Sequence, residues 1–263
     1  MTDKVLMNEM NWVDYRKRVV EDECPVLLPI GATEQHGPHL PMGTDWMIAT
    51  AVAKESALRV GGVVAQTITF GYKSSVHGGG GNHFCGTTSL DGITLIRLVA
   101  DLLGELVRHG ARKIAMVDIH YENHWFVTEA CDIAVREARR EGINNLRIIK
   151  PRLEAVTNLD LILPFYEPGT FPGMALEHAG KLETSVMLHI HPEHVNVEAY
   201  PTDVLGTPPG YDCYPINPDH STESGVLAPI ADANVELGKV AFDDLVNGIS
   251  NCIEEEFDRK GRS

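Results

Sequence analysis

The chain predicts an α/β fold, a mostly parallel sheet sandwiched between helices. Apolar runs of strand length alternate with segments whose apolar residues recur every three to four positions. Glycines punctuate the ends of the helical segments at Gly61-Gly62, Gly110 and Gly142. A length of 263 residues at 43% hydrophobic composition fits one large domain, residues 1–263, that buries a sizeable core.

Taken in order, residues 10–22 set Trp12, Tyr15, Val19 and Val20 among charges, the pattern of a short amphipathic helix. A strand follows from Pro25 through Val26-Leu-Leu-Pro-Ile30. Thr44 or Asp45 is positioned to cap a helix running to about Arg59, and Val63–Ile68 reads as the next strand. Phe70 to Gly92 lacks periodicity and is rich in glycine, so it reads as a long loop lining a pocket; Gly79 and Gly80 are its pocket candidates. Asp91–His109 predicts a helix with Ile93, Ile96, Leu98, Leu102, Leu103 and Leu106 on its apolar face. Lys113–Ile119 and Leu146–Ile149 read as strands around a helix ending near Glu141. Residues 150–176 are proline-rich and irregular, a helix begins at Leu176, and 192–225 is again loop. Ala231–Phe257 predicts a final helix packed on the sheet.

A net charge of -15, without any basic cluster, disfavours nucleic-acid binding. No apolar stretch approaches the roughly 20 residues that cross a bilayer, and the N-terminal residues lack a signal peptide's apolar core. Five widely spaced cysteines without a C-x-x-C pair fit neither a disulfide framework nor a thiolate zinc site. The expectation is a cytoplasmic protein acting on a small molecule, with no membrane or nucleic-acid partner.

The organising stretch is Glu34-Gln-His-Gly-Pro-His-Leu-Pro-Met-Gly-Thr-Asp45, which follows the first strand. Glu34 and His36 alternate around Gln35 and so share a side at a strand end, and Asp45 returns a third ligand after the turn. A lone Glu-x-His is more often a solvated surface pair. A second cluster, His120-Tyr-Glu122, changes the balance, because it also sits where an apolar strand runs out. Glu34, His36, Asp45, His120 and Glu122 supply enough donors for two divalent ions, Zn²⁺ or Mn²⁺, if Asp45 bridges. Such a centre holds a bridging hydroxide and polarises a carbonyl, which is hydrolytic chemistry. The histidines at 189, 191 and 194 lie at a helix end and are read as dipole-favoured rather than as another metal site.

The strings PIGATEQHGPHLPMGTD, GYKSSVHGGGGNHFCGTTSLDG, HGARKIAMVDIHYENHWF and LEHAGKLETSVML, in this order, resemble the creatininase (creatinine amidohydrolase) family over nearly the whole chain. The resemblance implies a creatininase-like fold and two metal ions, one on the positions of Glu34, Asp45 and His120 and the other on those of His36, Asp45 and Glu122. It also implies a catalytic histidine at His178, within Glu177-His-Ala-Gly-Lys-Leu-Glu-Thr-Ser185, and a homohexamer. Catalysis is thus expected of His178 and Glu122.

The family's pocket tryptophans match Glu154 and Met174 here, so neither aromatic wall is expected. With Tyr121 and Glu177 these two complete the expected substrate contacts; His124 is expected beside them, and Asp118 as an acceptor for a ligating histidine. The expected reaction opens a small cyclic amide, with creatinine a poor substrate and the natural one more polar. Deformylation or opening of a keto-sugar or cyclitol ring is the alternative within the family. A metal-stabilised binding protein without turnover is the alternative outside enzymology.

Overall fold

Four parallel strands, in the order β2-β1-β3-β4, form the sheet of the computed structural model, which describes residues 4–203 and 209–257. The central strand β1, Val26–Ile30, pairs along its whole length with β3, Lys113–Asp118. Strand β2 is Val63–Val64 and β4 is Arg147–Ile149. The second strand is thus shorter than its apolar run suggests. Pro29 explains where it breaks: Leu27 and Pro29 both turn their carbonyls toward β2, taking bonds from the Ala65 and Ile68 amides, but proline has no N–H to return. Pairing resumes only as a single bridge between Ile30 and Ile68.

Side chains alternate across the strands and divide the core into two clusters. On one face Leu27, Ala115 and Val117 meet helices α2 (Thr44–Val60), α8 (Lys181–Ile190) and α9 (Val235–Phe257). On the other, Val26, Leu28, Ile30, Ile114 and Met116 meet α4 (Gly92–Arg108) and α5 (His124–Arg140). The remaining short helices are α1 (Trp12–Arg16), α3 (Val76–Gly79), α6 (Leu153–Val156) and α7 (Leu159–Ile162). The α/β class and the layered arrangement agree with expectation. Residues 204–208 of the expected 192–225 loop, and both ends of the expected 1–263 domain, lie outside the described residues.

Three local expectations are corrected. On α4 the expected Leu103 and Leu106 are buried, together with Leu95, Val99, Ala100 and Val107, and Ile96 packs against them, whereas Ile93 is 72% exposed and Leu98 and Leu102 lie at the edge of the apolar stripe. Both sets have helical spacing; the 3.6-residue period separates them by one residue, about 100° around the axis. Neither Thr44 nor Asp45 caps α2: the cap position is Gly43, and the Thr44 hydroxyl donates to the Pro41 carbonyl. Helix α8 starts at Lys181, not Leu176. Ala179 adopts φ +52°, which a helix forbids, and the carboxylates of Glu177 and Glu183 take the amides of Leu182 and Ala179 instead.

The strand order places a topological switch between β1 and β3. One connection from the central pair leaves toward β2 and the other toward β4, and the cleft this opens lies at the strands' carboxyl ends. Both metal motifs follow those two ends.

Candidate metal centre

Gly31 follows β1 with the start of α2 packed directly over it; a Cβ there would lie 2.7 Å from the Asp45 carbonyl carbon. That close approach puts Asp45, in the first turn of α2, within reach of the loop carrying Glu34 and His36. The loop is closed by a bond from the Glu34 amide to the Met42 carbonyl, 3.0 Å. From β3 the chain passes through His120 into a single 3-10 turn, Tyr121–Asn123, before α5.

Asp45 sits between two imidazoles. Its Oδ1 is 3.1 Å from His36 Nε2 and its Oδ2 is 3.1 Å from His120 Nδ1. Glu34 Oε1 lies 3.1 Å from the same His120 nitrogen, and Glu183 Oε2 lies 3.8 Å from His36 Nε2. Among the described residues three donor groups result here, each with its atoms within 4.8 Å of one another: Glu34/Asp45/His120 and His36/Asp45/Glu183, which share Asp45, and Glu34/His36/His178. Each histidine also points its other nitrogen at a backbone carbonyl: His120 Nε2 at Tyr72 O, 3.0 Å, and His36 Nδ1 at Glu34 O, 3.3 Å. This fixes the rings and turns the remaining nitrogen of each toward Asp45.

The electrostatics follow from crowding carboxylates out of water. Burial pushes Glu34 up to about 8 despite its His120 neighbour. Burial also opposes charge on His36, but Asp45, Glu183 and Glu34 outweigh it and raise the imidazole to about 10. His120 is raised well above its ordinary value by Glu34, Glu122 and Asp45 against the same penalty. Asp45, for all its burial, is held far below the usual carboxylate range by the two imidazoles. Glu34 Oε2 is buried without a hydrogen-bond partner among the described residues. A donor set of this kind fits divalent cations, which take lone pairs that hydrogen bonds leave unused and offset the carboxylates' charge.

Glu122 is placed differently from the expected ligand. Its Oε1 accepts from the Ser75 amide and hydroxyl, both at 2.7 Å, and its Oε2 stands 3.7 Å from His120 Nε2, the nitrogen turned away from Asp45. Glu183 occupies the place beside His36 and Asp45 that Glu122 was expected to take. Its signal in the sequence is the second glutamate of the motif that opens with Glu177 and His178, and the turn at Ala179 brings all three to one cavity.

His178 is buried and packs its ring 4.3 Å from that of His36. Gln35 spends both amide hydrogens on the Gly79 and Gly225 carbonyls, at 2.9 and 2.8 Å. The His178 Nε2–H therefore donates to the Gln35 carbonyl at 2.9 Å, and Nδ1, 3.9 Å from Glu34 Oε1, keeps a free lone pair. Burial, then the neighbouring His36, keeps this imidazole well below its ordinary pKa and so neutral.

Sequence reading gives no sign of Asn123. It is fully buried and uses its whole carboxamide: Oδ1 accepts from the Tyr72 amide at 2.8 Å, and Nδ2 donates to the Gly31 carbonyl at 3.2 Å and to Asp118 Oδ1 at 3.1 Å. It thereby ties together the three segments that carry or orient the donors. Asp118 serves this amide rather than a histidine; the acceptor for His120 is Tyr72.

A cavity of about 130 Å³ opens on these groups, lined among others by Tyr121, Glu154, Met174 and Glu177, as well as Glu34, Asp45, His120, Glu122, His178 and Glu183. Two expectations fail at its wall. Gly78, not Gly79 or Gly80, lines it; Gly79 backs Glu34, where a Cβ would stand 2.7 Å from Oε2, and Gly80 backs Gln35. His124 turns instead to Lys150, Nδ1 to Nζ 2.8 Å. Elsewhere His191, Glu193 and His194 do converge, on the turn after α8, where Glu193 pairs with both histidines.

The family model described as creatinine amidohydrolase matches residues 8–253. A creatinine amidohydrolase of Pseudomonas putida is 38% identical over 257 residues, covering 98% of this chain and 99% of that protein. A mycofactocin precursor peptide peptidase of Mycolicibacterium smegmatis is 32% identical over 248 residues, covering 90% and 87%. Solved structures of a manganese creatininase and of a mutant creatininase of Zn-Zn type each superpose with a TM-score of 0.92 at 39% identity, over 97% of this chain and 99% and 98% of theirs. With the family matched across its sheet, helices and both donor motifs, the chain belongs to the creatininase family.

Proposed function

We propose that this creatininase-family chain is a two-metal amidohydrolase that opens a small cyclic amide. The observation that carries the reading is the pair of donor groups that share the buried Asp45. One ion belongs with Glu34, Asp45 and His120, the other with His36, Asp45 and Glu183. Two divalent ions, zinc or manganese as in the related structures, would supply Lewis acidity at the amide carbonyl and acidify the attacking water.

The chain's own groups do the rest. The attacking water adds to the carbonyl carbon, the C–N bond breaks, and the departing nitrogen needs a proton. His178 Nδ1 is unoccupied, neutral and turned into the donor cluster, so it accepts the water's proton and returns it to that nitrogen. Glu122, locked through Oε1 by Ser75, presents Oε2 to the cavity as a second proton-handling oxygen. The carboxylates must be held in place before substrate arrives, and Gly78 and Gly79 allow the loop to pass close enough to do so. Tyr121, Glu154, Met174 and Glu177 are the wall residues a substrate would meet.

Creatinine is expected to be a poor substrate, because Glu154 and Met174 offer no flat aromatic wall to its ring. The peptide-cleaving relative keeps a larger amide in view, but a cavity of about 130 Å³ admits only part of one. We further infer a cytoplasmic homo-oligomer, a hexamer by family resemblance. None of the described helices is long and apolar enough to cross a membrane, and Ile93 and Trp125, each 72% exposed at neighbouring ends of α4 and α5, suit a subunit contact.

Chelation should abolish amide hydrolysis and Zn²⁺ or Mn²⁺ should restore it, while His178→Ala should keep both ions and lose about 10²–10⁴ in kcat; hydrolysis indifferent to chelation sinks the mechanism. Asn123→Ala should weaken ion binding about 10- to 100-fold by calorimetric titration, as loss of an orienting partner does. Light scattering should give a particle larger than a dimer of the 28.9 kDa chain.

A further inference from the structure

One wall of the cavity takes no part in the chemistry above. Ile162 of α7, Leu182 and Val186 of α8, and Ala241, Phe242 and Leu245 of α9 form it, and all but Leu245 are buried. Ala241, Phe242 and Leu245 fall within little more than one turn of α9, so one apolar patch of that helix is turned to the cavity. Leu182 and Glu183 are neighbours at the start of α8, which makes the aliphatic wall continuous with the donor cluster. Beyond the donor cluster and Glu122, the described lining carries two acids: Glu177, buried and tied to Tyr166 and the Leu182 amide, and Glu154, exposed on α6. The Glu154 charge is solvated, and Glu177 spends its Oε1 on Tyr166 and Leu182, so neither sets the polarity of the α8 and α9 wall.

Apolar walls hold water poorly, and a cavity of this size and character is the kind that takes up a compact hydrocarbon group. A small polar ring alone would leave the α8 and α9 side chains facing water or an empty gap. We propose that the substrate is a cyclic amide carrying a short aliphatic substituent, with the carbonyl at the donor cluster and the substituent against α8 and α9. This rests on the amidohydrolase reading and specifies its substrate class. The volume limits the substituent to a few carbons, and each buried methylene contributes about fourfold to binding.

A series of hydantoins, five-membered cyclic amides substituted at carbon 5, separates the two ideas. With the Zn²⁺- or Mn²⁺-loaded protein, kcat/KM should rise about 10- to 100-fold from hydantoin to 5-isobutylhydantoin, and 5-hydroxymethylhydantoin and creatinine should fall below the isobutyl compound. Val186→Phe and Leu245→Phe, made separately, fill the chamber from two helices and should bring the isobutyl-to-unsubstituted ratio close to one. Melting-temperature shifts induced by hydantoin and by 5-isobutylhydantoin give a second readout that needs no turnover. If nothing is hydrolysed but the isobutyl compound stabilises the protein more, the amidohydrolase reading fails and the chamber stands. A flat series in both readouts, or a ratio unmoved in both folded variants, overturns the chamber.

Discussion

The Asp45 carboxylate, held out of water between two imidazoles, is the interaction on which the arrangement depends. A lone buried carboxylate is costly, and here Glu34 and Glu183 are brought within the same few ångströms. Both imidazoles are consequently driven toward their charged forms, while Asp45 stays ionised. A cluster that attracts positive charge this strongly, with lone pairs left over, is organised for cations. The restraints around it have the same logic: Tyr72 and Glu34 carbonyls fix the rings, Ser75 fixes Glu122, and Asn123 fastens the segments that hold them.

The fold supplies the location. With β1 at the centre and connections leaving in opposite directions, the cleft falls between the ends of β1 and β3, where Gly31 admits the start of α2 and brings in Asp45. The third contribution, from Glu177, His178 and Glu183, arrives from a distant part of the sequence through a turn that Ala179 makes at positive φ. Such strain, of the order of 1–3 kcal/mol, persists where surrounding contacts enforce it, and two carboxylate-to-amide bonds do so here.

What the sequence discloses, and what it conceals, divide along physical lines. Strand ends with alternating donors are local features, so Glu34, His36 and His120 can be grouped from the residue pattern alone, and the α/β alternation is legible for the same reason. Glu183 cannot be preferred to Glu122 in this way, because that choice depends on how far a non-helical turn carries Glu183 toward His36 and on Ser75 drawing one Glu122 oxygen aside. Asn123 is invisible, since its three partners lie in three separate segments. The facing side of α4 is ambiguous because two apolar stripes one residue apart satisfy the same period. The character of the cavity is concealed as well: Glu154 is conspicuous in the sequence but exposed in the fold, whereas the α9 residues that line the wall read simply as core.

The division of ligands between the two ions is the central structural claim, and metal content per chain tests it directly. Purified wild-type protein, saturated with Zn²⁺ and freed of excess metal, should hold two ions per chain; Glu183→Ala should hold one, and Glu122→Ala should still hold two. One ion retained by Glu122→Ala and two by Glu183→Ala would contradict the account and return the second ion to Glu122.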